Sequence, residues 1–267
     1  MKVCVFGGKG TLGSAVISEL IARDIDFWES PVRIENREMI KKLDKNAPPE
    51  QIWINCAGVL RNDQYGYAPH TVERMVAANA YGPHVLAETG RRVITISTDS
   101  VFAGNEGPGQ VRTRHEIPRG MDLYAMTKRI GEQVENNSLV LRTSFMSPRS
   151  GILRMVLDAA RDGRSDVKGY NRSYWSGSTV YEVARGIVDR LYSPDLTGIH
   201  HLSTMIPISK ATAIAEIVRV FDLDIQVDYQ NDQFVARGLL SDLPPLKPFA
   251  ESLVEHKELI LKDYGNL

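Results

Sequence analysis

Cysteine is scarce in this chain, with 2 among 267 residues. Two thiols cannot build the bridged framework of a small secreted domain, and Cys4 and Cys56 stand in apolar stretches, where they read as small core residues rather than a bridge or a metal pair. Charge of one sign is lacking as well: 32 basic side chains face 33 acidic ones, a formal net charge of -1. No global field draws the protein to phosphate polymers or anionic lipid, so neither nucleic acid nor membrane is an expected partner. No run approaches the ~20 apolar residues of a membrane span. Val3-Cys4-Val5-Phe6 meets glycine too soon for a secretory signal core, and a cytoplasmic protein is expected. Repeats and low-complexity tracts are missing too. With 43% apolar and 24% charged residues, disorder, collagen and coiled coil fall away, leaving an ordinary folded chain of one or two domains.

What is present alternates. Short apolar runs at Val3–Phe6, Ile25–Trp28, Ile52–Asn55, Val93–Ser97 and Leu139–Leu141 predict strands. Between them, amphipathic stretches after Leu12, over Arg37–Leu43, His70–Glu88 and Leu123–Val134 predict helices, the pattern of βα units around a parallel sheet. From about Met146 the rhythm breaks. Helices are expected near Ile152–Arg161, Val180–Leu191, Lys210–Phe221 and Phe249–Leu261, short strands at His200–Ser203 and Asp222–Val227, and a polar stretch from Gly163 to Ser178. The composition divides the chain into a dinucleotide-type domain over 1–145 and a smaller domain over 146–267 that supplies substrate contacts, with helix 180–191 an element that can pack back on the first.

Three constellations carry chemistry. Gly7-Gly8-Lys9-Gly10-Thr11-Leu12-Gly13 lies between the first strand and the first helix, where glycines let backbone N–H groups approach a pyrophosphate and the helix N-terminus adds its positive dipole end. The same turn also serves as a plain strand-to-helix connection. Tyr124 and Lys128 are four apart on a predicted helix, hence on one face. A phenol with a pKa near 10 needs its anion stabilised for acid or base work near neutrality, and an ammonium supplies that. Alternatively the pair lies on an exposed helix face. Ser97-Thr98-Asp99 ends the fourth strand, the edge where ligands bind in open α/β sheets, and Asn55-Cys56-Ala57-Gly58 ends the third in the same way. Asn79, an amide on an apolar face, reads either as a satisfied core group or as a brace in a proton-relay network. His200 and His201 are neighbours that point to opposite faces of a strand, so no metal site is expected.

In order and approximate spacing these motifs resemble the extended short-chain dehydrogenase/reductases. Ser97-Thr98-Asp99-Ser100-Val101-Phe102-Ala103-Gly104, the Leu141–Phe145 run, His201-Leu202-Ser203 and the prolines before the last helix are similar to the dTDP-4-dehydrorhamnose reductase branch. The resemblance implies an α/β, Rossmann-type doubly wound parallel sheet with a smaller, interleaved C-terminal domain. It implies an NAD(P)-dependent oxidoreductase that reduces the 4-keto group of a nucleotide-activated deoxysugar, in which Tyr124 donates the proton, Lys128 is its electrostatic partner and ribose anchor, and Thr98 polarises the carbonyl. Gly7, Lys9, Gly10, Thr11, Leu12, Gly13, Asn55, Ala57, Gly58, Asn79 and Lys128 would contact the cofactor, and Asp99, Arg172 and Trp175 the substrate, with Trp175 or Tyr174 stacking on a ring. Ser100 replaces the tyrosine common after that aspartate. For the coenzyme, Asp26 and Glu29 favour a ribose hydroxyl and NADH, whereas Lys9 and Arg33 favour a 2′-phosphate; NADPH is expected, with NADH left open. A sugar-nucleotide epimerase or dehydratase, a non-catalytic NADP-binding regulatory subunit, and a homodimer also stay open.

Overall fold

A computed structural model describes residues 2–60, 67–105, 111–134, 137–231 and 234–265. The chain forms two compact units: the first comprises Met1–Val101, Pro118–Arg142 and Ala184–His200, and the second Phe102–Ile117, Thr143–Val183 and His201–Leu267. Among the described residues no helix is long and apolar enough to cross a membrane.

The first unit is built on a parallel sheet of six strands flanked by helices, a Rossmann-type α/β fold as expected. β1 (Val3–Phe6) is wholly buried, which is why its four residues are all apolar. With β2 (Phe27–Ser30), β3 (Ile52–Asn55), β4 (Val93–Thr98), β5 (Ser138–Thr143) and β6 (Gly198–His201) it gives the order β6-β5-β4-β3-β1-β2. Phe6 stands opposite both Ser30 and Asn55, so the loops after β1, β2 and β3 leave the sheet at one level. The strand order reverses at β1, the position where open α/β sheets form a ligand crevice. Below the sheet, Cys4, Phe6, Ile34, Ile40, Trp53, Val85, Leu86 and Val93 form one apolar cluster. Its largest member, Trp53, meets Phe6 edge-on at 5.2 Å and donates its Nε1–H to Gln51. Cys4 and Cys56 are both free thiols.

Two departures from the sequence expectation have local causes. β2 begins at Phe27, not Ile25, because α1 (Thr11–Ala22) closes with Asp24 in the left-handed region, φ 53°. Asp24 N–H bonds Ile21 O and Ile25 N–H bonds Leu20 O, so Ile25 belongs to the helix cap. The single long helix expected over His70–Glu88 is α3 (Pro69–Met75), a π-helical run over Val76–Tyr81, and α4 (Gly82–Ala87). Pro83 has no N–H for the Asn79 carbonyl, and the helix widens so that Gly82 N–H bonds Ala77 O. α2 (Arg37–Asn46) is capped by Asn36, and α5 (Leu123–Gly131) by Asp122, whose carboxylate accepts the Ala125 N–H at 2.9 Å.

The second unit carries α6 (Gly151–Arg161), the start of α7 (Val180–Asp189, which from Ala184 belongs to the first unit), α8 (Lys210–Phe221), α9 (Phe249–Glu255) and α10 (Lys257–Tyr264). The expected terminal helix is thus two, breaking at His256, whose ring turns inward to Ser252 O at 2.9 Å and stacks on Tyr181. Asp222 repeats the cap of Asp24: at φ 54° it ends α8, and the following strand starts at Gln226 rather than Asp222. The polar stretch 163–178 is not a surface loop. It contains the strands Asp166–Tyr170 and Ser173–Trp175 and begins a third at Ser178, and two of its hydroxyls are buried on main-chain partners: Ser176 bonds Leu239 and Ser178 bonds Lys247 O.

Candidate functional site

The glycine turn after β1 is shaped by contacts only glycine permits. Gly7 has φ +75°, and a Cβ there would lie 2.7 Å from Ala57 N; at Gly13 it would lie 2.1 Å from Gly7 O. The turn therefore nests between the start of α1 and the end of β3. Gly10 at the N-cap offers no side chain, and the first turn of α1 holds no acidic residue, so the open N–H groups of that turn face an anion's position. Beside it lies a cavity of about 920 Å³ lined by Gly7–Gly10, Trp28–Glu35, Cys56–Val59, Arg74 and Ala78. It brings Lys9, Gly10, Ala57 and Gly58 together. Asn55 sits just behind, its side-chain oxygen accepting the Ala57 N–H at 3.1 Å.

Of the two carboxylates weighed for coenzyme choice, only Glu29 lines this cavity, with its side chain against Gly8. Asp26 lies outside it, its carbonyl accepting the Val3 N–H. Lys9 and Arg33 are on the lining, and so is Arg74 on α3, which sequence reasoning missed because a lone arginine on a helix carries no signal. Arg33 is highly exposed and 3.6 Å from Glu35. The cavity thus offers three cations and an uncapped helix start to a dinucleotide.

At the carboxyl end of β4, the Thr98 hydroxyl lies near enough to the Tyr124 phenol to act on its ionisation. Thr98 Oγ1 also lies 3.2 Å from Asp99 Oδ1 and accepts the Ser100 N–H at 3.1 Å. Burial pushes the Tyr124 phenol up to about 12; the Thr98 hydroxyl opposes this, while the Asp99 and Asp122 carboxylates add to it. The phenol is accordingly protonated at neutral pH, the state of a proton donor. Lys128, one turn along α5, is buried and donates from Nζ to Ile96 O at 2.6 Å. Burial lowers its ammonium to about 8, against the opposing pull of Glu132 and Cys56. Sequence reasoning gave Lys128 the task of stabilising the phenolate; here its charge is turned to the β4 backbone, and the groups acting on the phenol are Thr98, Asp99 and Asp122.

Asn79 braces this arrangement. Its Oδ1 accepts the Val59 N–H and its Nδ2 donates to Val59 O, both at 2.8 Å, and Nδ2 reaches Thr127 Oγ1 at 3.3 Å. Thr127 Oγ1 lies 3.0 Å from Tyr124 O, so the π-helical run is tied both to the loop after β3 and to the turn carrying the phenol. Thr127 was not singled out from sequence, since a threonine inside Tyr-x-x-x-Lys is indistinguishable from any helix residue. Ser97, grouped with Thr98 as a strand-end hydroxyl, faces instead toward Glu132.

In the second unit, Arg172 is exposed and lies with its guanidinium 5.6 Å from the Phe234 ring, which Tyr174 also meets at 6.3 Å. Trp175 is only 4% exposed: its ring meets Phe249 edge-on at 5.2 Å and its Nε1–H bonds Ser144 Oγ at 2.7 Å. That covered ring is not a stacking platform, and of the two aromatics weighed for that task Tyr174 is the half-exposed one.

Solved structures with the same fold span nearly the whole chain. A dTDP-4-dehydrorhamnose reductase from Clostridium acetobutylicum superposes with a TM-score of 0.82 at 19% identity, covering 97% of this chain and 99% of that one. The dTDP-4-dehydrorhamnose reductase from Bacillus anthracis, in complex with NADP, gives 0.81 at 19% identity over 98% and 99%. A UDP-glucose 4-epimerase from Thermotoga maritima, with UDP-glucose, gives 0.78 at 18% over 98% and 99%. No curated protein sequence matches the chain significantly. A sequence model for the RmlD substrate binding domain matches residues 1–232, and with the glycine turn, the Thr98–Tyr124 pair and the buried Lys128 in place, the chain belongs to the RmlD substrate binding domain family.

Proposed function

We propose that this protein is an NAD(P)H-dependent reductase of the 4-keto group of a nucleotide-activated deoxysugar, working in the cytoplasm. One observation carries the reading: a neutral phenol and an alcohol, Tyr124 and Thr98, come together at the end of β4, with the buried Lys128 one helical turn away. Two donors at one point suit a carbonyl oxygen that gains negative charge as it is reduced. When bound, the coenzyme supplies the hydride. Gly7, Gly10, Thr11, Leu12 and Gly13 would hold its diphosphate, Asn55, Ala57, Gly58 and Asn79 shape its seat, and Lys128 would take its ribose hydroxyls. The close approaches at Gly7 and Gly13 and the open first turn of α1 fit that group. Lys9, Arg33 and Arg74 favour NADPH, while Glu29 leaves NADH usable.

Thr98 Oγ1 orients the substrate carbonyl, and Tyr124 Oη delivers its proton to the carbonyl oxygen. Asp99 orients the sugar. The likeness to a UDP-glucose 4-epimerase supports a second reading, in which the same phenol moves a proton reversibly and no net oxidation follows. NADPH absorbance with 4-keto deoxysugar nucleotides separates the two: steady oxidation supports the reductase, sugar interconversion without net oxidation the epimerase, and binding alone a regulatory subunit. Tyr124→Phe is expected to lower turnover by about 10²–10⁴-fold with coenzyme binding nearly intact. A wild-type rate in that variant removes Tyr124 from the mechanism.

A further inference from the structure

Behind Lys128 lies a buried ionic clasp that the chemistry above does not use. Glu132 follows α5 directly, its N–H bonded to Lys128 O at 3.0 Å. Arg142 on β5 grips both of its carboxylate oxygens, Nε to Oε1 at 2.9 Å and Nη2 to Oε2 at 2.8 Å. Ser97 Oγ, next to Thr98 on β4, donates to Oε1. All three side chains are buried. A buried ion pair is weak evidence for stability, because well-packed apolar residues of similar volume serve as well or better. Its placement points to another use. The clasp ties the end of the helix bearing Tyr124 and Lys128 to the strand bearing Thr98 and to the Ile96 carbonyl on which Lys128 rests.

We propose that Glu132 is a positioning residue for Lys128, setting the seat of the ammonium against β4; the proposal rests on the reductase reading above for its consequence in turnover. Ile96 O from β4 accepts a hydrogen bond from Lys128 Nζ, Gly58 from the loop after β3 lies beside it, and the charges acting on it are the Glu132 carboxylate, itself held by Arg142 and Ser97, and the Cys56 thiol. Burial works against the Lys128 proton and the Glu132 carboxylate helps to hold it, so without Glu132 the ammonium discharges at lower pH.

Two variants test this: Glu132→Gln, and Glu132→Met combined with Arg142→Met, which avoids leaving a buried guanidinium unpaired should the single variant fail to fold. The readout is the pH dependence of the Lys128 ¹³Cε signal in selectively labelled, coenzyme-free protein, assigned with Lys128→Arg, beside the alkaline limb of NADPH oxidation. The expected result is a titration midpoint lowered by about one pH unit in folded Glu132→Gln, with the alkaline limb moving by the same amount, and in the double variant, where a carboxylate and a guanidinium leave together, a shifted Lys128 ¹³Cε signal with a smaller change of midpoint. Should either variant fold as stably as wild type with the Lys128 signal and its midpoint both unmoved, the clasp is purely architectural and the proposal is overturned. If wild type oxidises no NADPH with any sugar nucleotide while the midpoint still moves, the reductase reading fails and the role of Glu132 toward Lys128 stands.

Discussion

Replacing Lys128 by methionine should make the coenzyme-free protein more stable while ending turnover. The native ammonium is held in a buried site that lowers it from 10.5 to about 8. At about 1.4 kcal/mol per tenfold change in proton affinity, the charged form costs the fold about 3 kcal/mol at neutral pH. Methionine fills a similar volume without charge, and losing the bond to Ile96 O returns about 1 kcal/mol, so a net gain of about 2 kcal/mol is expected at pH 7. The sign carries a pH signature. Because the folded-state value is depressed, the unfolded chain binds more protons between about 8 and 10.5, and wild-type stability contributed by this group rises with pH through that window. The gap between the variants should therefore shrink toward zero by pH 10. Urea unfolding of both proteins at pH 7 and pH 10 measures it, and ionisation of groups not coupled to Lys128 cancels in the difference. A gap of the same size at both pH values, or a wild type more stable at pH 7, would refute the reasoning.

The other expectations concern the coenzyme end. Gly13→Ala would drive a methyl group to 2.1 Å from Gly7 O, so a loss of about 2 kcal/mol or more in stability and of coenzyme binding should appear by thermal melting and titration calorimetry. Arg74→Ala and Arg33→Ala should each raise KM for NADPH by about tenfold with little change for NADH, as expected of a contact to a 2′-phosphate; equal effects on both coenzymes would place those arginines elsewhere.

Much of the fold is legible because strand burial and helix amphipathicity write themselves into residue order: β1 and β3 match their apolar runs in the first unit, and Lys210–Phe221 in the second is a helix from end to end. Helix ends were less legible. Asp24 and Asp222 adopt a left-handed cap that glycine usually signals, and each shifted the strand after it. The π-helical run depends on one missing N–H at Pro83, a local effect without periodicity. The motifs pointed to Thr98, Tyr124 and Lys128, which the fold brings to one strand end, but not to Glu132 and Arg142, whose partnership spans 10 residues and exists only once α5 packs on the sheet. Trp175 was misread for the opposite reason, since an aromatic among serines looks like a surface group until those hydroxyls are seen bonding the main chain.

The first unit draws on three stretches of chain, the last of them Ala184–His200, which brings in most of the sixth strand. A fragment stopping near residue 145 would leave β5 with one side unpaired, baring the row of amides flanking Leu139, Val140 and Leu141, which are fully buried in the intact protein. Such a rim invites self-association. Dissecting this protein by truncation should thus yield aggregates rather than a working coenzyme module, and on a ribosome the sheet must await chain made some 50 residues later before its border is sealed.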